Sequence, residues 1–182
     1  MNTKKNKLKS IGILGGTFDP PHLGHLKISK YAIKRLNLSL LIWAVTKKNP
    51  MKKSPLLTLK KRVYLSKKKV KKVKKIRVKS FDKLIKSSRT ISLIRYIRKY
   101  NDSKIFFLMG SDNLVNFHKW HEWKKIGDLC KIVIFPRFGY LKKALGSKAL
   151  KTLGKKRIIF MQSKIIKISS SKIRKNYLRY NN

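Results

Sequence analysis

Residues 15–25 read G-G-T-F-D-P-P-H-L-G-H and stand between an apolar run (Ile11, Ile13, Leu14) and a helix-like segment that starts near Leu26. A strand, a glycine turn and a helix in that order open a βαβ unit. The two glycines let the backbone turn tightly and approach a ligand with no Cβ atoms in the way. Pro20 and Pro21 stiffen the turn that follows. His22 and His25 then fall at i and i+3. With Leu23 in the first helical turn, both imidazoles sit beside free backbone N–H groups and the positive end of the helix dipole, which suits phosphate. The segment reads as a phosphate site built without a Walker lysine.

Outward from this segment, apolar runs alternate with helix-period segments. Strand-like runs fall at 11–14, 38–45, 76–78, 105–109, 132–135 and 158–161. Between them Leu23, Leu26, Ile33 and Leu36 trace one helical face, Leu59, Val63 and Val70 a second, and Ile91, Ile94, Ile97 and Tyr100 a third. Strands separated by helices predict right-handed crossovers and an α/β fold. We expect a single domain over 1–182, a Rossmann-like, doubly wound, mostly parallel sheet with helices on both faces, preceded by a disordered basic stretch at 1–9. Ligands of such sheets bind at the carboxyl ends of the strands, where the winding reverses. G-G-T-F-D follows the first strand and G-S-D-N (110–113) follows the fourth, so both belong to that edge. Residues 47–57, with Pro50 and Pro55 among lysines, are expected to form a mobile loop there.

Composition narrows the chemistry. The 182 residues are 42% apolar, enough to fill one sizeable core. Lys plus Arg number 49 against 6 Asp plus Glu, for a formal charge of +43. Such a balance points toward nucleic acid in general. Here the excess is spread along a chain rich in Ile and Asn, and its densest run, K-K-K-V-K-K-V-K-K at 67–75, has no interleaved aromatic on which bases could stack. The charge is therefore read as a solvated surface. One cysteine, Cys130, excludes an internal disulfide and is expected to be a buried small hydrophobe. Residues 8–14, broken by Lys9 and Ser10, are too short for a signal h-region, and no apolar stretch approaches the about 20 residues that span a bilayer. A soluble cytoplasmic protein is expected.

Three further segments bear on the site. Thr90 opens the third helix after Ser87 and Ser88, where its plain role would be an N-cap. Residues 110–123 read G-S-D-N-L-V-N-F-H-K-W-H-E-W. Tryptophans there serve the core or, just beyond the end of a strand, give a ring-bearing ligand a flat face. Residues 168–174 read I-S-S-S-K-I-R. Serine hydroxyls and N–H groups at a helix start, with an arginine one turn on, make a second anion site or an ordinary cap.

Together these segments resemble one family over most of the chain. Residues 15–25 resemble the HxGH signature of the nucleotidyltransferase superfamily, and 168–174 its ISSTxIR partner. Residues 110–126 are similar to the nicotinate-ring segment of the bacterial nicotinate-nucleotide adenylyltransferases. Residues 43–52 (W-A-V-T-K-K-N-P-M-K) and 135–140 (F-P-R-F-G-Y) are similar to that family too.

The resemblance implies transfer of AMP from ATP to nicotinate mononucleotide, giving nicotinate adenine dinucleotide and pyrophosphate in NAD biosynthesis. It implies that His22, His25 and Arg174 are the catalytic groups, and that Gly15, Gly16, Thr17, Phe18, Gly110, Asp112, Ser169 and Ser170 bind ATP. Thr90, Trp120 and backbone near His121 would receive the nicotinate ring and its carboxylate. The chain departs from the family where S-Y-T and an acidic residue are usual: it has Ser88, Arg89, Thr90 and then Ser92, and Ser171 replaces the second Ser/Thr of the last motif. His22 and His25 lack a nearby third ligand, so no protein-built metal site is read. Mg²⁺ is expected to arrive on ATP, held by phosphates and water. The alternatives are another HxGH adenylyltransferase, with phosphopantetheine or nicotinamide mononucleotide as acceptor, and a basic nucleic-acid-binding protein. No membrane partner is expected, and a homo-oligomer is left open.

Overall fold

The computed structural model describes residues 9–49, 54–163, 170, 171, 173 and 174. Residues 1–8, most of the stretch expected to be disordered, and Ser169 of the expected ATP site lie outside the described residues, as do 50–53 of the expected mobile loop.

Six strands, β1 (Ser10–Gly16), β2 (Leu40–Val45), β3 (Ile76–Lys79), β4 (Lys104–Gly110), β5 (Lys131–Phe135) and β6 (Ile158–Phe160), form one sheet in the order β3-β2-β1-β4-β5-β6. Every neighbouring pair is parallel. Between the strands run α1 (Leu23–Arg35), α2 (Leu59–Val70), α3 (Thr90–Tyr100), α4 (Ser111–Val115), α5 (Trp123–Leu129), α6 (Leu141–Leu145) and α7 (Lys148–Arg157), with a 3-10 turn at Phe117–Lys119. This is the doubly wound α/β sheet that the alternating pattern predicts. No helix among the described residues is long and apolar enough to cross a membrane.

Parallel strands covered on both faces must be apolar on both sides, and these are. Ile11, Ile13, Ile42, Ala44, Phe107, Met109, Ile132 and Ile134 turn to one face, against Ile91, Ile94 and Ile97 of α3, Ile126 of α5 and Leu153 of α7. Leu14, Leu41, Trp43, Val45, Leu108 and Val133 turn to the other, with Ala32 of α1 and Val70 of α2. Cys130 is buried in the first cluster, its thiol pushed up to about 12 by burial.

Differences from the expected pattern have local causes. Asn37 takes a left-handed φ of 46°, so the chain turns there and β2 starts at Leu40; Leu38 becomes a buried plug ahead of the strand. Leu23 is 52% exposed and Tyr100 53%, because α1 buries Gly24, Ser29 and Ala32 and α3 buries Ile91, Leu93, Ile94 and Ile97. On α2 two polar residues, Arg62 and Ser66, share the buried face with Val70.

The strand order reverses between β1 and β4, and the carboxyl ends of these two strands splay into a crevice. The ends of β2 and β5 flank it. A cavity of about 590 Å³ occupies the crevice.

Candidate active site

The segment 15–25 forms the floor of this cavity. Neither Gly15 nor Gly16 takes a positive φ; their lack of a side chain matters because a Cβ on Gly15 would meet the Phe107 ring at 3.3 Å. The sharp turn falls instead on Phe18, with φ 50°, a region that bulky residues enter only when their surroundings hold them there. The holding contacts are plain. The Phe18 ring is 2% exposed, stacks on Trp43 at 4.9 Å between centroids and meets His25 at 4.7 Å. Trp43 is itself fixed, its Nε1 donating to Ser29 Oγ of α1 at 2.8 Å.

His22 caps α1 and its ring lies 3.8 Å from that of His25, centroid to centroid. The His22 N–H donates to Nδ1 of His25 at 3.2 Å. With Nδ1 accepting, the proton of a neutral His25 ring is on Nε2. Burial, together with the positive charges of Arg137 and Lys69, holds the His22 pKa down at about 4. At neutral pH His22 is therefore an uncharged donor or acceptor and not a cation. Its Nδ1 is buried with no partner among the described residues.

Three residues that the sequence did not single out hold this loop and its neighbour after β2. Arg62 is 2% exposed and its guanidinium donates to four backbone carbonyls: Leu57 at 2.9 Å, Thr17 at 2.6 Å, Thr46 at 2.8 Å and Lys47 at 3.0 Å. It thus ties the loop after β1 to the loop after β2 and to the approach to α2. Burial lowers its pKa, and the charges of Asp19 and Asp82 oppose that shift. Asp19, 1% exposed, accepts from the N–H groups of Leu56 (2.8 Å) and Leu57 (2.9 Å). Asp82 accepts from Thr46 Oγ1 (2.8 Å) and the Lys47 N–H (2.6 Å). A signal existed: of only 6 acidic residues in the chain, Asp19, Asp82 and Asp112 all line this one cavity.

The residues expected to meet the nucleotide gather on the same cavity. Gly15, Gly16, Thr17, Phe18, His22, His25, Gly110, Asp112, Ser170 and Arg174 all border it. Asp112 pairs through Oδ2 with Arg137 at 2.6 Å, while its Oδ1 is buried without a partner among the described residues. A Cβ on Gly110 would collide with that free oxygen, so only glycine leaves room for it. Ser170 Oγ donates to the Pro20 carbonyl at 3.0 Å, and Arg174 donates to the Asp19 carbonyl at 2.6 Å and to Ser171 Oγ at 3.1 Å. The last motif is thus docked on the first.

Thr90 and Trp120 line the same cavity. Thr90 is the first residue of α3, and Arg89, not Thr90, occupies the cap position. Trp120 packs edge-on against Phe117 at 5.3 Å and Phe107 at 6.2 Å, between core and cleft. The half-exposed ring of His121 lies outside the cavity wall and meets Arg89 there, Nη1 to Nε2 at 3.3 Å. The next residue, Glu122, takes a left-handed φ of 49° and is held from the surface by Arg95 (2.9 Å) and Lys125 (2.6 Å), whose hydrogen bonds draw its pKa down to about 2.

Known proteins share this chain's sequence and its architecture. Residues 13–176 match the cytidylyltransferase-like family model. A chain from Pelagibacter ubique (strain HTCC1062), named a probable nicotinate-nucleotide adenylyltransferase, is 47% identical over 175 residues, 96% of each chain. A chain of the same name from Ruegeria sp. (strain TM1040) is 33% identical over 163 residues, covering 89% of this chain and 86% of the relative. Among solved structures, a Plasmodium falciparum nicotinic acid mononucleotide adenylyltransferase complexed with NaAD superposes with a TM-score of 0.74. At 18% identity, over 92% of this chain and 83% of that one, the likeness concerns the fold. By the family match and these near-full-length relatives, the chain belongs to the cytidylyltransferase-like family and, within it, to the nicotinate-nucleotide adenylyltransferases.

Proposed function

We propose that the cleft binds ATP and nicotinate mononucleotide side by side and transfers AMP from the first to the second, releasing pyrophosphate. The observation that carries this reading is that one cavity of about 590 Å³ is lined both by phosphate-suited groups, His22, His25, Ser170 and Arg174, and by Thr90 with Trp120. A dinucleotide product needs both sets at once.

The chain's task in this reaction is positioning and charge neutralisation. The second pKa of a phosphate monoester is about 6, so the attacking phosphate is already largely ionised at neutral pH and no general base is needed. His22 and His25, at the start of α1, would donate hydrogen bonds to the ATP phosphates as charge develops on the leaving group. Because His22 is uncharged near pH 7, its contribution is a directed hydrogen bond. Arg174 and Ser170, docked on the Asp19–Pro20 turn, would grip the triphosphate from the other side, with Ser169 as a further contact. Gly15, Gly16, Thr17 and Phe18 would let the phosphates approach the backbone closely, and Gly110 and Asp112 would contact the adenosine. The unpartnered Oδ1 of Asp112 suits a hydroxyl donor. Thr90, Trp120 and the His121 backbone would hold the pyridine ring.

The donor set also bears on Mg²⁺. Both oxygens of Asp19 accept backbone N–H groups, Oδ2 of Asp82 accepts two donors, and Arg137 takes one oxygen of Asp112. Carboxylates engaged in this way suit a cation held mainly by phosphates and water. When bound, such a cation neutralises charge on the departing pyrophosphate.

The test is pyrophosphate release by the purified protein with ATP and Mg²⁺, offering nicotinate mononucleotide, nicotinamide mononucleotide and phosphopantetheine in parallel. Turnover with nicotinate mononucleotide above the other two is expected. Preference for phosphopantetheine would reject the acceptor, and no turnover with any of them would reject the reaction.

A further inference from the structure

Arg89 stands at the mouth of the cleft with a side chain that no fold contact explains. It precedes Thr90 at the start of α3, lines the cavity and is exposed. The other arginines around the cleft are engaged: Arg62 with four carbonyls, Arg137 with Asp112, Arg174 with Asp19 and, just outside, Arg95 with Glu122. Among the described residues the Arg89 guanidinium meets only the imidazole of His121, at 3.3 Å. Arg89 lines the same cavity as Thr90, its neighbour in the chain, and Trp120.

A guanidinium carries five donors in a planar fork that fits a carboxylate through two parallel hydrogen bonds. One donor on His121 fixes the plane and leaves an edge for such a pair. A carboxamide in the same place would set its NH₂ group against donors and satisfy the fork through one oxygen only. We propose that Arg89 selects the acid form of the pyridine mononucleotide over the amide, by pairing its fork with the ring carboxylate beside Thr90 and Trp120. The proposal rests on the acceptor site assigned above.

The experiment is quenching of tryptophan fluorescence in the whole protein, titrated without ATP by nicotinate mononucleotide and, separately, by nicotinamide mononucleotide. Wild type binds the acid more tightly. Arg89→Gln weakens acid binding by about 10- to 100-fold, the range of a charge-assisted pair, and leaves the amide unchanged. Arg89→Lys keeps the charge, loses the fork and falls between. His121→Ala keeps most of the preference. Wild type without a preference for the acid, an Arg89→Gln variant that retains it, or a His121→Ala variant that loses as much as Arg89→Gln would each overturn the proposal; the last would mean that the arginine acts only through the ring. Pyrophosphate release by wild type is read separately. Turnover with an acid preference insensitive to Arg89→Gln removes the role of Arg89 and keeps the reaction, whereas a preference lost with Arg89 in a protein that releases no pyrophosphate keeps Arg89 and removes the reaction.

Discussion

The two ends of the cleft are built by opposite means. At the phosphate end, a residue with left-handed backbone, Phe18, is held from within, by ring stacking on Trp43 and by the buried Arg62 donating to the Thr17 carbonyl beside it. At the end proposed for the pyridine ring, the left-handed residue is Glu122, held from outside by Arg95 and Lys125, which are more than half exposed. Groups proposed to meet the triphosphate sit on a foundation removed from water, where polar contacts are strong and expensive to break. Groups proposed to choose between two similar rings sit at the rim, where a side chain can change without unfolding its surroundings. Substitutions are therefore expected to act differently: at the buried supports of the inner end on folding, and at the rim on acceptor choice as proposed above.

The harshest way to break the comparison is Arg62→Met. It leaves four carbonyls of three segments without their donor, so a loss of about 3 kcal/mol or more in urea unfolding is expected. A loss no greater than that of Arg89→Gln would show that the inner end is not specially held. Next comes His22→Ala, whose kcat should fall by about 100-fold or more while its melting temperature stays close to wild type; near-normal turnover would falsify the assigned role. Trp120→Ala should raise KM for nicotinate mononucleotide by about 10-fold and spare KM for ATP, and equal effects on both would mean that this end is not separate.

Acid sharpens the contrast further. Because the His22 pKa is lowered to about 4 in the folded protein against about 6.5 in an unfolded chain, the unfolded state takes up that proton first as pH falls. Its contribution to stability is complete above about pH 6.5 and declines toward pH 4, at no more than about 1.4 kcal/mol per pH unit. Urea midpoints across this range should therefore fall less steeply for His22→Ala than for wild type, and parallel curves would contradict the buried, uncharged ring. The smallest effect belongs to Glu122→Gln, which removes exposed ion pairs. Its midpoint should move slightly at low salt and not at high salt, and a large loss independent of salt would place the outer end on the same footing as the inner one.

Much of this architecture is legible in the residues. The six apolar runs are the six strands, and the glycine segments 15–16 and 110 end β1 and β4 where the winding reverses. Short continuous apolar runs set between helix-period segments mark such strands, because both faces of a parallel sheet must be apolar. The same logic hides Arg62. In sequence it is one of 49 basic residues, and the four carbonyls that it joins come from positions up to 45 residues away. Asp19 and Asp82 were more visible than they seemed, since carboxylates are scarce here and three of the six surround the cavity. Arg89 reads as a departure from a familiar motif, and only its approach to His121 gives it a direction.

By itself, then, the sequence determined the fold class, the family and the edge of the sheet at which the cavity lies, because these follow from short-range periodicity and from motifs whose residues are neighbours in the chain. Only the tertiary structure decided which cations are buried and which are exposed, that the sharp turn falls on Phe18, that burial keeps His22 uncharged, and that Arg89 lines the cleft beside His121. Those properties depend on desolvation and on partners brought together from distant segments, and neither can be computed from spacing along the chain.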